Sequence, residues 1–151
     1  GQFGTWLIDF GGQVAVSSTS PDRIWPVAVA HPEHRDVPVV ELHLTEGSLA
    51  TTGGSERDVA SDGNGQFGHI VDPQTGMPVS RASSVTVWHQ EALVADILST
   101  ALYVMGVDEG RDWAEQNGIA ACFLVPSERD GVTSGTEVDF VATSSFRRRF
   151  L

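Results

Sequence analysis

The chain of 151 residues contains no lysine. All nine basic residues are arginines, set against 20 acidic residues for a formal net charge of −11. Without lysine there is no Schiff-base amine, no P-loop lysine and no lysine general base among these residues. The acid excess argues against a nucleic-acid partner, because phosphate contacts need a basic face. It suits solubility and a divalent cation. Cysteine is nearly absent. Cys122 by itself cannot form an intramolecular disulfide, and within the apolar run 119–125 (IAACFLV) it reads as a buried small hydrophobe. No apolar run approaches the ~20 residues of a membrane span. No signal peptide is visible, and the first residues open directly into a strand pattern, so the chain is expected to be a mature or cut product. What is present, 40% hydrophobic residues with seven Phe and four Trp, is enough for a folded single domain over residues 1–151.

The first third reads as short strands separated by turn residues. Residues 5–10 (TWLIDF) and 13–17 (QVAVS) flank Gly11-Gly12, a tight-turn signal. Residues 24–30 form a strand interrupted by Pro26, residues 37–44 alternate, and residues 47–52 follow as a short strand. Residues 51–67 are polar and rich in Gly, Ser and Asp, which predicts a loop or hairpin. The segment 69–78 carries two prolines and a glycine and reads as an ordered turn. Residues 83–89 are β-branched and alternating. Residues 90–105 place Leu93, Val94, Ile97, Leu98, Ala101, Leu102 and Met105 at helical spacing, with Gly106 as the stop. A second helix spans 108–117, followed by strands at 119–125 and 137–142 and a basic tail, FRRRFL. Strands, then two main helices, then strands predict an α+β domain with a mixed sheet.

Within this frame Asp96 is the most informative residue. The spacing puts it in an apolar helix, on or near the core-facing side, with Thr100 one turn on and Ser99 beside them. A carboxylate among apolar side chains must be paired or hold a cation. An Asp-x-x-x-Thr pair offers hard oxygens suited to Mg²⁺ with water and phosphate. The alternative is an Asp on a solvated helix edge, with Thr100 bonded back to the helix. His69 opens the turn segment and is available as a base, or as a loop residue bonded to backbone. His31-Pro-Glu-His34 superficially resembles a metal pair but has no helix to align its rings. His43 and His89 read as packing or surface residues. Thr51-Thr52-Gly53-Gly54 offers hydroxyls and amides that cradle an anion or simply turn the chain. Asp139 and the terminal Arg147, Arg148 and Arg149 read as a solvated charge run, the alternative being pairs with the acidic bulk.

Taken in order, Asp9-Phe-Gly-Gly12, Trp25-Pro-Val-Ala-Val, Leu49-Ala-Thr-Thr-Gly53, His69-Ile-Val-Asp-Pro-Gln-Thr-Gly-Met-Pro78, Ser84-Val-Thr-Val and Ala95-Asp-Ile-Leu-Ser-Thr-Ala101 with Leu102-Tyr-Val-Met-Gly106 resemble the FAD:protein FMN transferases, the ApbE family. The resemblance runs from about Thr5 to the end of the chain. It implies an ApbE-like, T-fold-like α+β architecture of which this is the C-terminal portion, the N-terminal half with most FAD contacts being absent. It implies Mg²⁺-dependent transfer of FMN from FAD, the substrate, to a Ser or Thr hydroxyl of an acceptor flavoprotein, with AMP leaving. Some members instead hydrolyse FAD to FMN and AMP. By the same resemblance Asp96 and Thr100 are metal ligands. Ser99 stands where many relatives carry a second Asp, as a weaker ligand or none. His69 is the base, Ile70 a flavin contact, and Thr52 the hydroxyl of a Thr-Ser-Gly-like turn. The family acts mostly at the extracytoplasmic face of the bacterial cytoplasmic membrane. The remaining alternative is a non-catalytic half that binds flavin weakly or pairs with its missing partner. A severed core edge also predicts homo-oligomers through strand exchange.

Overall fold

The computed structural model describes residues 4–20, 22–54, 59–60, 66–67, 69–79, 81–129 and 132–151. Most of the loop expected at 51–67 lies outside the described residues. Its described parts include two two-residue strands, which take their place in the order below.

The elements run β1 (Trp6–Asp9), β2 (Gln13–Ser17), β3 (Trp25–Ala30), β4 (Pro38–Leu44), β5 (Gly47–Gly53), β6 (Val59–Ala60), β7 (Gln66–Phe67), β8 (Ser84–His89), α1 (Ala92–Met105), α2 (Val107–Gln116), β9 (Ala120–Arg129), β10 (Val132–Ala142) and α3 (Ser144–Phe150). The α+β class holds. Six strands form one sheet in the order β1-β2-β5-β8-β9-β10. Where a mixed sheet was expected, each of these pairings is antiparallel. The reason lies in the connections: β1–β2 and β9–β10 are hairpins, and the α1–α2 pair leads from β8 into an antiparallel neighbour.

Side chains alternate across this sheet and build two cores. On one face Val85, Val87, Ala121 and Phe123 meet Leu102 and Tyr103 of α1 and Ala114 of α2. On the other, Val16, Leu49, Cys122 and Leu124 meet Val29, Leu42 and Leu44 of the β3–β4 hairpin and Phe146 of α3. α1 therefore lies over β5 and β8, and α2 over β9.

The tail expected to be a solvated charge run is instead a third helix. Thr143 caps it, accepting the Phe146 N–H at 3.3 Å and the Ala121 N–H at 3.1 Å while its hydroxyl donates to the Ile119 carbonyl at 2.8 Å. Phe146 is fully buried, and Arg147, Arg148 and Arg149 remain exposed. Arg149 lies over the Trp88 ring at 3.2 Å and pairs with Glu46 at 3.1 Å.

Cys122 is buried beside Thr86, and burial pushes its thiol up to about 12. Thiolate formation in the folded protein thus requires a pH well above the ordinary thiol range. Iodoacetamide at pH 8 is expected to leave native Cys122 unmodified and to alkylate it fully in denaturant. Rapid labelling of the native protein, read by mass spectrometry, would contradict this burial.

Candidate functional site

An open cleft of about 1240 Å³ runs along the outer side of α1. Its walls are the β1–β2 turn, the end of β5, the 69–74 segment, Arg81 and the start of α2. Gln13 fixes one end, donating from its side-chain amide to the Ala92 carbonyl at 2.7 Å. This ties the β1–β2 turn to the first turn of α1. The volume exceeds the usual ~300–1,000 Å³ of small-molecule pockets, so a dinucleotide-sized ligand is within its capacity.

Five of the six residues singled out from the sequence line this one cleft: Thr52, His69, Ile70, Asp96 and Thr100. They come from three separated parts of the chain, which β5, the turn segment and α1 bring together. Ser99 is the exception. It is completely buried, its hydroxyl donates to the Asp96 carbonyl at 2.9 Å, and Thr52 Oγ1 lies 2.8 Å from it. A hydroxyl so placed joins α1 to β5 rather than facing the cleft.

Asp96 does not face the core. The inward side of α1 is Ala95, Ser99, Leu102 and Tyr103, whereas Asp96 is exposed. Leu93 and Ile97 share the outward side, at 69% and 56% exposure. The expectation that burial forces a partner on this carboxylate therefore fails, because water solvates it. Thr100 is half-buried and hydrogen-bonds Thr52 Oγ1 at 3.3 Å. The back-bonding hydroxyl in this stretch is that of Ser99, not Thr100.

The turn segment is ordered by Asp72. Its carboxylate accepts the Gln74 N–H at 2.8 Å and the Thr75 hydroxyl at 3.1 Å, and its carbonyl accepts the Gly76 N–H at 2.8 Å. Val71 and Pro78 pair across it, and the Val79 N–H donates to the Ile70 carbonyl at 2.7 Å. Ile70 is thereby held half-buried against the core under α1, with His69 exposed at the cleft beside it. This bonding is why a stretch rich in Pro and Gly holds one shape.

Thr51, Thr52 and Gly53 belong to β5 and pair with β8, so the expected anion-cradling loop is a strand. The Thr51 N–H is committed to the Gly12 carbonyl at 2.6 Å. His31 sits in the β3–β4 turn. It is buried, and its Nδ1 accepts the backbone N–H groups of Glu33 and His34 at 3.1 and 3.2 Å, which shapes the β3–β4 turn. Likewise His89 Nδ1 accepts the Glu91 N–H at 3.0 Å at the entry to α1. Among the described residues no cluster of three His, Cys, Asp or Glu side chains suits a metal. A cation held by Asp96 and Thr100 would need non-protein oxygens to complete its shell. Two hard oxygens one helical turn apart, facing an open cleft, are a donor set that fits Mg²⁺ and not a soft metal.

Sequence reasoning missed Arg81 and Gln13. Both work through backbone partners far away in the chain, and nothing in their local sequence signals it.

Residues 2–123 match the sequence profile of the ApbE family. A protein from Vibrio cholerae named FAD:protein FMN transferase is 30% identical over 144 residues, covering 94% of this chain and 41% of the relative. The protein of that name from Haemophilus influenzae is 25% identical over 134 residues, covering 87% and 39%. Among solved structures, the flavinyl transferase ApbE of Pseudomonas stutzeri in its apo form superposes with a TM-score of 0.69 at 30% identity, covering 97% of this chain and 44% of that one. The ApbE protein of Thermotoga maritima gives 0.70 at 30% identity, covering 96% and 44%. The chain thus spans well under half the length of the relatives it matches. No helix among the described residues is long and apolar enough to cross a membrane.

Proposed function

Because the chain belongs to the ApbE family, we propose that its protein transfers FMN from FAD to a Ser or Thr hydroxyl of an acceptor flavoprotein, with Mg²⁺ as the metal and AMP as the leaving group. The observation that carries this reading is the convergence of Thr52, His69, Ile70, Asp96 and Thr100 on one dinucleotide-sized cleft.

In this reading the acceptor oxygen attacks the phosphorus of the FMN half. The bond from that phosphorus to the bridging oxygen of the pyrophosphate breaks, and AMP carries the bridging oxygen away. Such transfers depend on in-line placement and charge neutralisation more than on covalent chemistry. Exposed at the cleft, His69 takes the proton of the incoming hydroxyl. Ile70, fixed by its turn, gives the flavin an apolar contact. Asp96 and Thr100 hold the Mg²⁺, and Thr52 keeps the Thr100 hydroxyl in place through the 3.3 Å bond. When bound, that ion supplies neutralising charge at the pyrophosphate. The open side of the cleft takes the remaining FAD contacts from a further part of the protein, corresponding to the length of the relatives that this chain does not span. Self-association of this chain is the competing occupant of that side. The place of action, from the same resemblance, is the extracytoplasmic face of a bacterial cytoplasmic membrane.

The test is full-length protein with FAD, Mg²⁺ and a flavoprotein acceptor, read by covalent flavin fluorescence and by AMP release. His69→Ala is expected to slow transfer by about 10²- to 10⁴-fold, the usual contribution of a positioned base. A loss below about fivefold would remove the base role. AMP and free FMN formed at full rate without acceptor would replace transfer by FAD hydrolysis.

A further inference from the structure

Arg81 stands at the opposite end of α1 from the Gln13 tie. Its guanidinium donates to the Val104 carbonyl at 3.3 Å and lies against Gly106, where a Cβ would come within 3.1 Å of Nη1. Gly106 has φ of 86°, which a side chain would strain as well. The backbone of Arg81 is clamped from beneath. The buried Tyr103 hydroxyl accepts its N–H at 3.1 Å and donates to its carbonyl at 3.2 Å. Gly54 packs on this clamp so closely that a Cβ would sit 2.7 Å from the Tyr103 oxygen and 2.8 Å from the Arg81 carbonyl.

This cation is placed with care in an otherwise acidic cleft. The lining carboxylates are Asp72, Asp96 and Glu109, and among the described lining residues Arg81 is the one arginine. It is exposed and makes no ion pair with a described residue. Guanidinium carries five N–H donors, so the bond to Val104 leaves most of them free for a ligand. Thr100 lies four residues before Val104, about 6 Å along the helix axis. Arg81 and the Asp96–Thr100 pair thus line the same cleft, with Arg81 toward the C-terminal end of α1.

We propose that Arg81 is the phosphate-reading residue of the cleft, its guanidinium fork taking oxygens of the dinucleotide's diphosphate on the side away from Asp96. The proposal rests on the FMN-transfer reading. Guanidinium suits phosphate because its paired donors match two oxygens at once, which an ammonium does not. The competing role is a brace for the carbonyls at the C-terminus of α1.

The experiment measures dissociation constants of full-length protein in saturating Mg²⁺, for FAD directly and for ADP and adenosine by competition. Arg81→Gln is expected to weaken FAD and ADP at least tenfold and to leave adenosine within twofold. Arg81→Lys is expected to recover part of the ADP affinity, since charge returns without the fork. Thermal melting checks that each variant is folded. If Gln does not fold, the ADP-to-adenosine ratio of the Lys variant decides. Equal ADP affinity in variant and wild type, or ADP and adenosine weakening in step, overturns the proposal and leaves Arg81 a helix brace. Absence of FAD binding by the wild type overturns the FMN-transfer reading itself. Retained FAD binding with no charge-specific loss in Arg81→Gln refutes this proposal alone.

Discussion

Asp96→Ala in the full-length protein is expected to lower Mg²⁺-dependent FMN transfer by about 10³-fold or more while leaving the melting temperature nearly unchanged. The two halves of that expectation come from the same feature. Asp96 is exposed on the outward side of α1, so its removal empties no core. Surface substitutions of this kind usually stay within about ±0.5 kcal/mol. On the proposed reading this carboxylate is the charged ligand of the cation, with the Thr100 hydroxyl one turn on. Losing the cation removes several kcal/mol of stabilisation of developing charge, and each ~1.4 kcal/mol is tenfold in rate. Raising Mg²⁺ should restore part of the activity if the site is weakened rather than destroyed. Unchanged transfer by Asp96→Ala, or a loss that ignores Mg²⁺ concentration, would end the metal assignment.

The largest stability effect is expected at the other face of the sheet. Phe146 is fully buried, 4.8 Å from the Phe150 ring and 6.1 Å from that of Phe140. Truncating a buried Phe costs about 3–5 kcal/mol through lost transfer energy and the cavity left behind. In a domain of this size that lowers the melting temperature by about 10 °C. The cleft lies across the sheet from this core, so Phe146→Ala is expected to lower thermal stability and leave the FAD affinity of the folded fraction unaltered. Denaturant melts and FAD titration check both. A loss under about 1 kcal/mol would mean that α3 is not part of the cooperative core.

Much of the fold is legible in local pattern. The strands over residues 13–17 and 84–89 and the helix ending at Met105 follow directly from alternation, helical spacing and a glycine stop. Covering is less legible. α1 is apolar around most of its circumference, so spacing cannot tell which stripe the sheet covers. Leu93 and Ile97 look as much like core as Leu102 does, yet they are exposed, and Asp96 goes outward with them. The third helix escaped for a related reason. FRRRF reads as a charge run, and only the arrangement that brings Phe146 against β9 and sets Thr143 between two strand ends makes a helix of it. Of the site, residue types and spacing pointed to Asp96, Thr100 and His69 as chemistry. The hydroxyl contacts among Thr52, Ser99 and Thr100, and the clamp on Arg81, link positions 22 to 48 residues apart, so no local window contains them.

That clamp has a consequence for how this sequence can drift. A Cβ at position 54 would stand 2.7 Å from the Tyr103 oxygen and 2.8 Å from the Arg81 carbonyl, closer than such atoms pack. In a pairwise mutational library positions 54 and 103 should therefore show epistasis, whereas Arg81 takes part through its backbone, which a substitution leaves in place. A methyl group at position 54 is intolerable beside Tyr103 and becomes milder when the hydroxyl is removed by Tyr103→Phe. The Arg81 carbonyl still stands 2.8 Å from that methyl group, so the rescue is incomplete. The loss caused by a methyl group at position 54 should thus be smaller in the Tyr103→Phe background than in the wild type, without vanishing.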